Sequence, residues 1–196
     1  MTNKTKIKPS TMLNPVPVVM VSCGTMEKSN IVTVAWTGTV NSEPPMVYIS
    51  VRKSRYSHGL ILESRSFVLN LVNADTVKAA DFCGVKSGRD VDKFEVLQLT
   101  KTEGPVTGVP MISECPVNLE CKVTQVLELG SHDMFLATVE AVYVNNRHID
   151  EKAAIDLAKA NLVAYSHGEY FDLGKYEGFF GYSIAGEEAL KRRMRK

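Results

Sequence analysis

The sequence predicts a mainly β protein with peripheral helices, built as a β-barrel that carries added α-helical elements. Short segments rich in β-branched residues follow one another between residues 16 and 72, and turn-forming residues separate them. Two longer apolar segments occupy residues 117–144, and helical patterns occur only around these strands. A chain of 196 residues can bury a substantial core, so we expect a single domain over residues 1–196.

The N-terminal part of the chain predicts an arm followed by three strands. Residues 1–14 are polar and interrupted by proline, and are expected to form an arm on the surface. Three apolar, β-branched segments predict strands: VPVVMVSCG (16–24), IVTVAW (31–36) and MVYISV (46–51). A turn containing glycine and serine separates the first two strands, and TGTVNSEPP (37–45) is expected to connect the second to the third.

A helix is predicted after the third strand. Residues 54–65 have the 3.6-residue apolar spacing of a helix, with Leu60 and Ile61 toward the core. Ser54 is placed to cap its N-terminus.

A fourth strand and a second helix come next. FVLNLV (67–72) predicts the strand, and residues 74–84 predict a helix that Gly84 closes as a C-cap. Residues 85–116 are rich in turn-forming residues and predict a long irregular excursion.

The C-terminal half predicts two long strands and two helices. The apolar alternation of residues 117–129 slips at Gln125 and Val126, which indicates a β-bulge. Residues 134–144 are apolar on both faces, which places them in the middle of a closed sheet or at a dimer interface. Residues 150–162 and 187–196 predict helices, the latter short and basic within a C-terminal extension over residues 175–196.

Charge and cysteine content exclude several classes of protein. The 23 basic and 22 acidic residues give a formal charge of +1, so no global field attracts nucleic acid or a membrane surface. The four cysteines show no CxxC pair or zinc spacing and are expected to be buried reduced thiols. The apolar N-terminal segment contains prolines and is too short to span a membrane, so a cytoplasmic location is predicted.

Common catalytic motifs are absent. The sequence contains no GxGxxG, GxxxxGK[ST], GxSxG or HExxH, and no metal-ligand cluster of His and Asp. A Rossmann domain, a P-loop enzyme and a metal site are therefore not expected. Any chemistry is expected to belong to a bound organic cofactor.

Two neighbouring segments suggest what that cofactor looks like. The strand edge from Asn30 to Trp36 offers backbone groups and hydroxyls to a flat heterocycle. The next strand ends in a basic, hydroxyl-bearing stretch, residues 50–54, where a helix begins, and such helix starts bind phosphate well. One ligand with a flat polar-edged head and a phosphate tail would explain both. The alternative without a ligand is that the basic residues at the end of the third strand are simply solvated, and that Trp36 is an ordinary core or surface aromatic residue.

Several segments in order resemble the flavin reductase-like, FMN-binding split-barrel family, in its flavoredoxin type. The resemblance covers residues 15–174. Its motifs are PVPVVMVSC, NIVTVAW, NSEPPMVYISVRKSRYSHGLI, FVLNLV, SGRDVDKF (87–94), GSHDMFLATVEAV (130–142) and YFDLG (170–174).

The resemblance implies a homodimer of Greek-key-like split barrels with one noncovalent FMN per subunit near the interface. Carried over residue by residue, the segment implied to line the isoalloxazine is Asn30, Val34, Ala35, Trp36 and Thr37. The residues implied along the ribityl chain and phosphate are Ser50, Val51, Arg52, Ser57 and His58. The loop implied to close over the phosphate or the substrate entrance carries Ser87, Gly88, Arg89, Asp92 and Lys93.

His132 occupies the position of a family histidine near the flavin face and is the one candidate for a catalytic role. Ser131 replaces the acidic residue that precedes this histidine in the family. The alternative interpretation is a turn histidine ahead of a strand.

Three functions stay open at this point. The first is an NAD(P)H-dependent FMN reductase, with NADH or NADPH as the small-molecule donor. The second is a flavoredoxin-type electron carrier that a protein partner reduces, without a pyridine nucleotide site. The third is a flavin-free barrel that binds a haem or another small molecule. Neither nucleic acid nor a membrane is expected as a partner.

Overall fold

The computed structural model describes residues 3–194, and its secondary structure is mainly β. The strands are β1 (Val16–Pro17), β2 (Val19–Gly24), β3 (Ser29–Val34), β4 (Thr37–Ser42), β5 (Pro45–Arg52), β6 (Ser66–Leu71), β7 (Lys101–Glu103), β8 (Pro110–Ile112), β9 (Val117–Glu128), β10 (His132–Val144), β11 (Val163–Ser166) and β12 (Glu169–Asp172). The helices are α1 (Tyr56–Ser64), α2 (Val77–Val85), α3 (Lys93–Val96) and α4 (Glu187–Arg193). The predicted class, mainly β with peripheral helices, is confirmed.

The main sheet curls into a barrel. Its seven strands run in the order β3-β2-β6-β9-β10-β5-β4, and every neighbouring pair is antiparallel. The two edge strands, β3 and β4, are consecutive in the chain and only Ala35 and Trp36 join them. The two edges must therefore approach each other, and the Ser50 N–H donates to the Trp36 carbonyl at 2.9 Å across this junction.

Alternating side chains fill the barrel interior. On β10, Phe135 and Ala137 are fully buried, while their neighbours along the strand face outward and are half-buried. Helix α1 packs Leu60 and Ile61 into the same cluster, as the sequence predicts. This cluster also includes Ile49 from β5.

A second apolar cluster covers the outside of β2 and β3. Ala80 and Cys83 of α2 and Phe94 of α3 pack against Met20 and Ile31. Strand β2 is consequently buried on both faces, which explains its unbroken apolar sequence. Together α2 and α3 fix the outer surface of β3.

The two long strands and the bulge are confirmed. In the pairing of β9 with β10, Leu136 lies opposite Gln125 but Ala137 lies opposite Val123, so Thr124 is the extra residue. This is one residue from the predicted slip. Strand β10 lies between β9 and β5, in the middle of the sheet, as one of the two predicted placements required.

Three local predictions are wrong. TGTVNS is an edge strand, β4, rather than a connection. The N-cap of α1 is Arg55, without a side-chain cap, so Ser54 does not cap the helix. Helix α2 continues through Gly84 to Val85, and Lys86 is its C-cap in an extended conformation.

The predicted helix at 150–162 is also wrong. That region contains turns and a short 3-10 segment, Leu157–Ala160. Asp150 accepts hydrogen bonds from the N–H groups of Lys152 and Ala154, both at 2.8 Å. An aspartate that satisfies nearby backbone groups in this way competes with the helix ladder. The predicted irregular excursion at 85–116 likewise contains α3, β7 and β8.

The chain ends differ in structure. Residues 3–14 carry neither helix nor strand, and most are exposed, as predicted for an arm. The predicted basic terminal helix is present as α4, although Arg195 and Lys196, like Met1 and Thr2, lie outside the described residues. Within residues 3–194 no helix is long and apolar enough to cross a membrane. The four cysteines are buried and free, as predicted.

Candidate functional site

Two connected cavities lie between the outer side of β3, the end of β5 and the start of α1. The larger, about 440 Å³, is called here the wide cavity, and the smaller, about 360 Å³, the cationic cavity. They share Val32, Arg52 and Arg55 in their walls. Each volume lies in the range of small-molecule sites, and the three shared residues make the two cavities neighbours.

The wide cavity has one wall made from β3 and the junction to β4. The residues of this wall are Val32, Thr33, Val34, Ala35 and Trp36. The Thr33 hydroxyl donates to the Ala80 carbonyl of α2, which holds the strand against its helix. Ser50, Val51 and Arg52 from the end of β5 continue the wall.

Trp36 and His132 meet at this cavity. Their ring centroids are 4.7 Å apart with an interplanar angle of 42°, and Trp36 is 42% exposed. Burial, and then the charge of Arg52 opposite it on β5, lower the pKa of His132. His132 is therefore mainly a neutral imidazole at neutral pH, so it can accept a proton on one ring nitrogen and donate a hydrogen bond from the other.

The opposite wall of the wide cavity comes from α2 and the β11–β12 hairpin. Tyr165 and Tyr170 pack edge to face with centroids 5.5 Å apart, and the Tyr170 hydroxyl donates to Asp81 at 3.1 Å. Burial and the bond to Asp81 raise the pKa of Tyr170 to about 12. This wall therefore presents two aromatic rings to the cavity, and the hydroxyl of one of them, Tyr170, is protonated.

The cationic cavity collects positive charge. None of the described residues in its wall is acidic. Its five basic residues are Arg52, Arg55, Lys86, Arg89 and Lys93. The hydroxyls of Ser54, Ser57 and Ser87 lie in the same wall. Helix α1 starts here, and no side chain caps its first turn. A helix start with free N–H groups, cations and hydroxyls is suited to an anion such as phosphate.

The loop after α2 closes one side of the cationic cavity. A Cβ atom at Gly88 would lie 2.1 Å from Asn30 Oδ1, so only glycine allows this approach to β3. The Arg89 guanidinium donates to the Ser54 carbonyl at 3.1 Å and lies 5.6 Å from the centre of the Tyr56 ring. These contacts hold the loop against the start of α1.

Lys93 is a buried cation behind this loop. It is 3% exposed, and its ammonium donates to the carbonyls of Ile31 at 2.6 Å and Cys83 at 2.8 Å. Burial lowers its pKa. Among the described residues no carboxylate forms an ion pair with it. A ligand anion in the cavity would supply the missing countercharge.

The structure brings most of the predicted site residues together. The wide cavity is lined by Val34, Ala35, Trp36, Ser50, Val51, Arg52 and His132. The cationic cavity is lined by Asn30, Arg52, Ser57, Ser87, Gly88, Arg89 and Lys93.

Three residues singled out by the resemblance line neither cavity. The Thr37 hydroxyl donates to the Tyr48 carbonyl at 2.7 Å inside the barrel wall. His58 bonds to Asp133 at 2.8 Å. Asp92 caps α3 through the N–H groups of Phe94 and Glu95.

The sequence analysis missed the β11–β12 hairpin as a cavity wall. His167 and Gly168 form its turn, with φ of 50° and 89°. Such a pair of positive-φ residues between short alternating strands is a recognisable hairpin signal. Arg55, in the basic exit from β5, lines both cavities, whereas its neighbour Lys53 lines neither and pairs with Glu128 at 2.6 Å.

No metal centre is seen in the described part of the chain. Residues 3–194 contain no group of three or more His, Cys, Asp or Glu side chains that could hold a metal ion.

Comparison with known proteins places the chain in a family. The flavin reductase like domain family matches residues 11–174. Flavoredoxin from Methanosarcina acetivorans is 30% identical with a TM-score of 0.85, over 94% of this chain and 100% of that one. An FMN-binding protein from Thermus thermophilus is 25% identical with a TM-score of 0.74, over 90% and 98% of the two chains.

A curated relative carries a reductase name. The NADPH-flavin oxidoreductase of Streptomyces viridifaciens is 27% identical, over 62% of this chain and 62% of its own length. The family match covers most of the chain, including both cavities and the barrel. The chain therefore belongs to the flavin reductase like domain family.

Proposed function

We propose that this protein binds FMN, with the flat ring in the wide cavity and the phosphate in the cationic cavity, and passes reducing equivalents through it. The observation that carries the proposal is the pairing of the two cavities. One has aromatic and polar walls, and the other has five cations and no acidic residue among the described residues of its wall. FMN has a flat, polar-edged head and an anionic tail, which matches this division.

The residues present fit such a ligand. Arg52, Arg55 and the start of α1 would hold the phosphate. The phosphate would also supply a countercharge for the buried Lys93 ammonium. The β3–β4 junction would offer backbone groups to the polar edge of the ring. Thr37 and His58 support these positions from behind rather than from the cavity walls.

Bound FMN supplies the redox chemistry, and the protein positions it and controls access to it. Backbone N–H donors at the β3–β4 junction would stabilise negative charge that develops at the polar edge of the ring. Neutral His132, beside Trp36, can accept and hold a proton at the wide cavity. The two tyrosines of the hairpin exclude water from the opposite side.

Two electron donors are considered. In the first, NADH or NADPH reduces the protein directly, which the name of the Streptomyces relative supports. In the second, a protein partner reduces it, which the higher identity and fuller coverage of the Methanosarcina flavoredoxin support. The flavin-free alternative has no comparable support among the relatives named above.

A homodimer is part of the proposal. The outer face of β5 and β10 carries the half-buried side chains of Met46, Tyr48, Met134 and Leu136. These residues form an apolar face beside the wide cavity, and a second copy would cover it. The four free, buried thiols support the cytoplasmic location predicted from the sequence.

The first test is spectroscopic. The protein is purified, supplied with FMN, freed of excess ligand, and examined for bound flavin absorbance. The loaded protein is then mixed with NADH or NADPH without oxygen. Rapid loss of flavin colour supports the reductase. Absence of bleaching despite ready chemical reduction supports the carrier, and a colourless protein refutes flavin binding altogether.

The second test removes one group from the wide cavity and one from the wall that the two cavities share. The double variant Ser50→Ala/Arg52→Ala loses a hydroxyl and a charged donor, so we expect FMN affinity to fall by about tenfold or more. The control is Lys122→Ala, an exposed cation on β9 that lines neither cavity. Unchanged FMN affinity in the double variant would refute the phosphate assignment.

A further inference from the structure

A buried polar pair links helix α1 to strand β10. His58 Nε2 lies 2.8 Å from Asp133 Oδ2, and the two side chains are 10% and 6% exposed. Lys53 continues the network toward solvent, with its ammonium 3.3 Å from Asp133 and 2.6 Å from Glu128. Burial raises the pKa of Asp133, but the bonds from His58 and Lys53 outweigh it and lower the pKa. The carboxylate is therefore ionised at neutral pH.

The pair lies directly behind both cavities without lining either. His58 follows Ser57, which lines the cationic cavity, and Asp133 follows His132, which lines the wide cavity. The His58 ring also packs edge to face on Phe135, 5.4 Å away between centroids. A ligand in the cavities would touch the neighbours of the pair but not the pair itself.

The start of α1 is fixed from two sides. Asn30 of β3 donates from its amide to the Ser57 hydroxyl at 2.7 Å, and Asp133 of β10 holds His58. No side chain caps this first turn, and the His58 N–H donates back to the Arg55 carbonyl at 3.0 Å. The N–H groups left for an anion are therefore those of Tyr56 and Ser57, and they point at it only while the turn keeps its orientation. A single tether would let the turn pivot, whereas two tethers on successive residues prevent it.

We propose that His58 and Asp133 are positioning residues that aim the uncapped first turn of α1 at the phosphate of the bound flavin. This inference rests on the proposed function. It gives a buried polar pair a role that packing alone does not require, because replacing both partners of such a pair by apolar residues of similar size is often nearly neutral for stability.

The test compares FMN with riboflavin, which has the same ring but no phosphate. In the double variant His58→Leu/Asp133→Leu, both partners become apolar, so the fold is expected to survive while the directional tether is lost. We expect FMN affinity to fall by about tenfold or more and riboflavin affinity to change by less than about threefold. A purely structural role would lower both affinities together.

Two single variants sharpen the comparison. Asp133→Asn keeps an oxygen that accepts from His58, and should restore most of the preference for FMN over riboflavin. Glu128→Gln changes only the exposed end of the network and should leave both affinities unchanged. Should the double variant not fold, His58→Phe takes its place, since it keeps the edge-to-face packing and removes the hydrogen bond.

The outcomes separate this inference from the proposed function. A wild-type protein that binds FMN no better than riboflavin refutes the phosphate site itself. A wild-type protein that prefers FMN, together with a folded double variant or His58→Phe variant that keeps the same preference, overturns only the positioning role. If the double variant or His58→Phe loses the preference for FMN over riboflavin and Asp133→Asn keeps it, the positioning role is supported.

Discussion

The loop from Gly104 to Val109 depends on a single buried carboxylate, Glu120 of β9. Glu120 is 0% exposed and accepts hydrogen bonds from the Thr107 N–H at 2.6 Å, the Thr107 hydroxyl at 2.5 Å, the Val106 N–H at 3.2 Å and the Tyr143 hydroxyl at 2.8 Å. In Glu120→Gln, one of the two acceptor oxygens becomes an NH₂ group that faces donors.

The cost of this substitution follows from the lost acceptor. With the new NH₂ group at the Oε1 position, the Tyr143 hydroxyl can rotate to accept from it, and both backbone N–H groups keep the remaining oxygen, but that oxygen is now a neutral acceptor. A buried hydrogen bond to a charged group contributes about 1.5–3 kcal/mol, so we expect a loss of about 2 kcal/mol in the free energy of unfolding. For a domain of this size that corresponds to a fall of about 4–8 °C in Tm.

The pH dependence has a definite sign. Burial raises the pKa of Glu120, but the bonds from Thr107, Tyr143 and Val106 outweigh it and hold the pKa below its usual value of 4.5. Its contribution to stability is therefore present above about pH 4.5 and is lost as the pH falls through the folded-state pKa.

Urea unfolding at pH 7 and at pH 3–4 measures both effects. The difference between wild type and Glu120→Gln should shrink at the lower pH. Glu103→Gln, an exposed carboxylate on β7, is the matched control and should change stability by less than about 0.5 kcal/mol. A Glu120→Gln protein as stable as wild type at pH 7 would show that the carboxylate does not hold the loop.

Two further predictions concern the loop glycine and the thiols. Gly88→Ala should weaken FMN binding by about tenfold or more, because its Cβ would collide with Asn30 at 2.1 Å. Gly59→Ala has open space around its Cβ and should bind FMN normally. Flavin titration measures both affinities, and equal values would contradict the close approach of Gly88 to Asn30. Burial raises the pKa values of the four cysteines to about 11 or 12, so the folded protein should resist a thiol-reactive dye until it is unfolded. Rapid labelling of any thiol in the native protein would be inconsistent with this burial. The same raised pKa values stabilise the fold below about pH 9, and this stabilisation should be lost as the pH rises from 9 toward 12, as measured by urea unfolding.

The barrel was predictable because its strands carry strong local signals. The β-branched runs of β2, β3, β5 and β6 and the long strands β9 and β10 all appear near their predicted positions. Strand β4 was not predictable in the same way, because it is an edge strand whose side chains are mostly exposed. Pairing with β5, rather than any apolar pattern of its own, makes it a strand.

Helix boundaries were less predictable because tertiary contacts decide them. Gly84 looks like a helix end, but α2 continues through it and packs it near Thr33. Helix α1 instead ends at Ser64, and its C-cap Arg65 adopts the left-handed conformation without being glycine, with φ of 54°. At 150–162 the alanine-rich composition favours a helix, and the Asp150 side chain directs the backbone into turns instead.

The candidate site was predictable on one side only. The strand edge and the basic end of β5 are local sequence features, and the structure places them in the walls of the two cavities. The opposite wall requires Tyr165 and Tyr170, which lie more than a hundred residues further along the chain. Their approach to β3 follows from the pairing of β11 with β1 and from the bond to Asp81, which no local pattern specifies.

The most direct test of the account is a crystal structure of the protein grown with excess FMN. The account predicts the ring against Val34, Ala35 and Trp36 in the wide cavity, and the phosphate within hydrogen-bonding distance of Arg52 and the first turn of α1. FMN bound elsewhere, or bound with its phosphate between the two tyrosines of the hairpin, would contradict it.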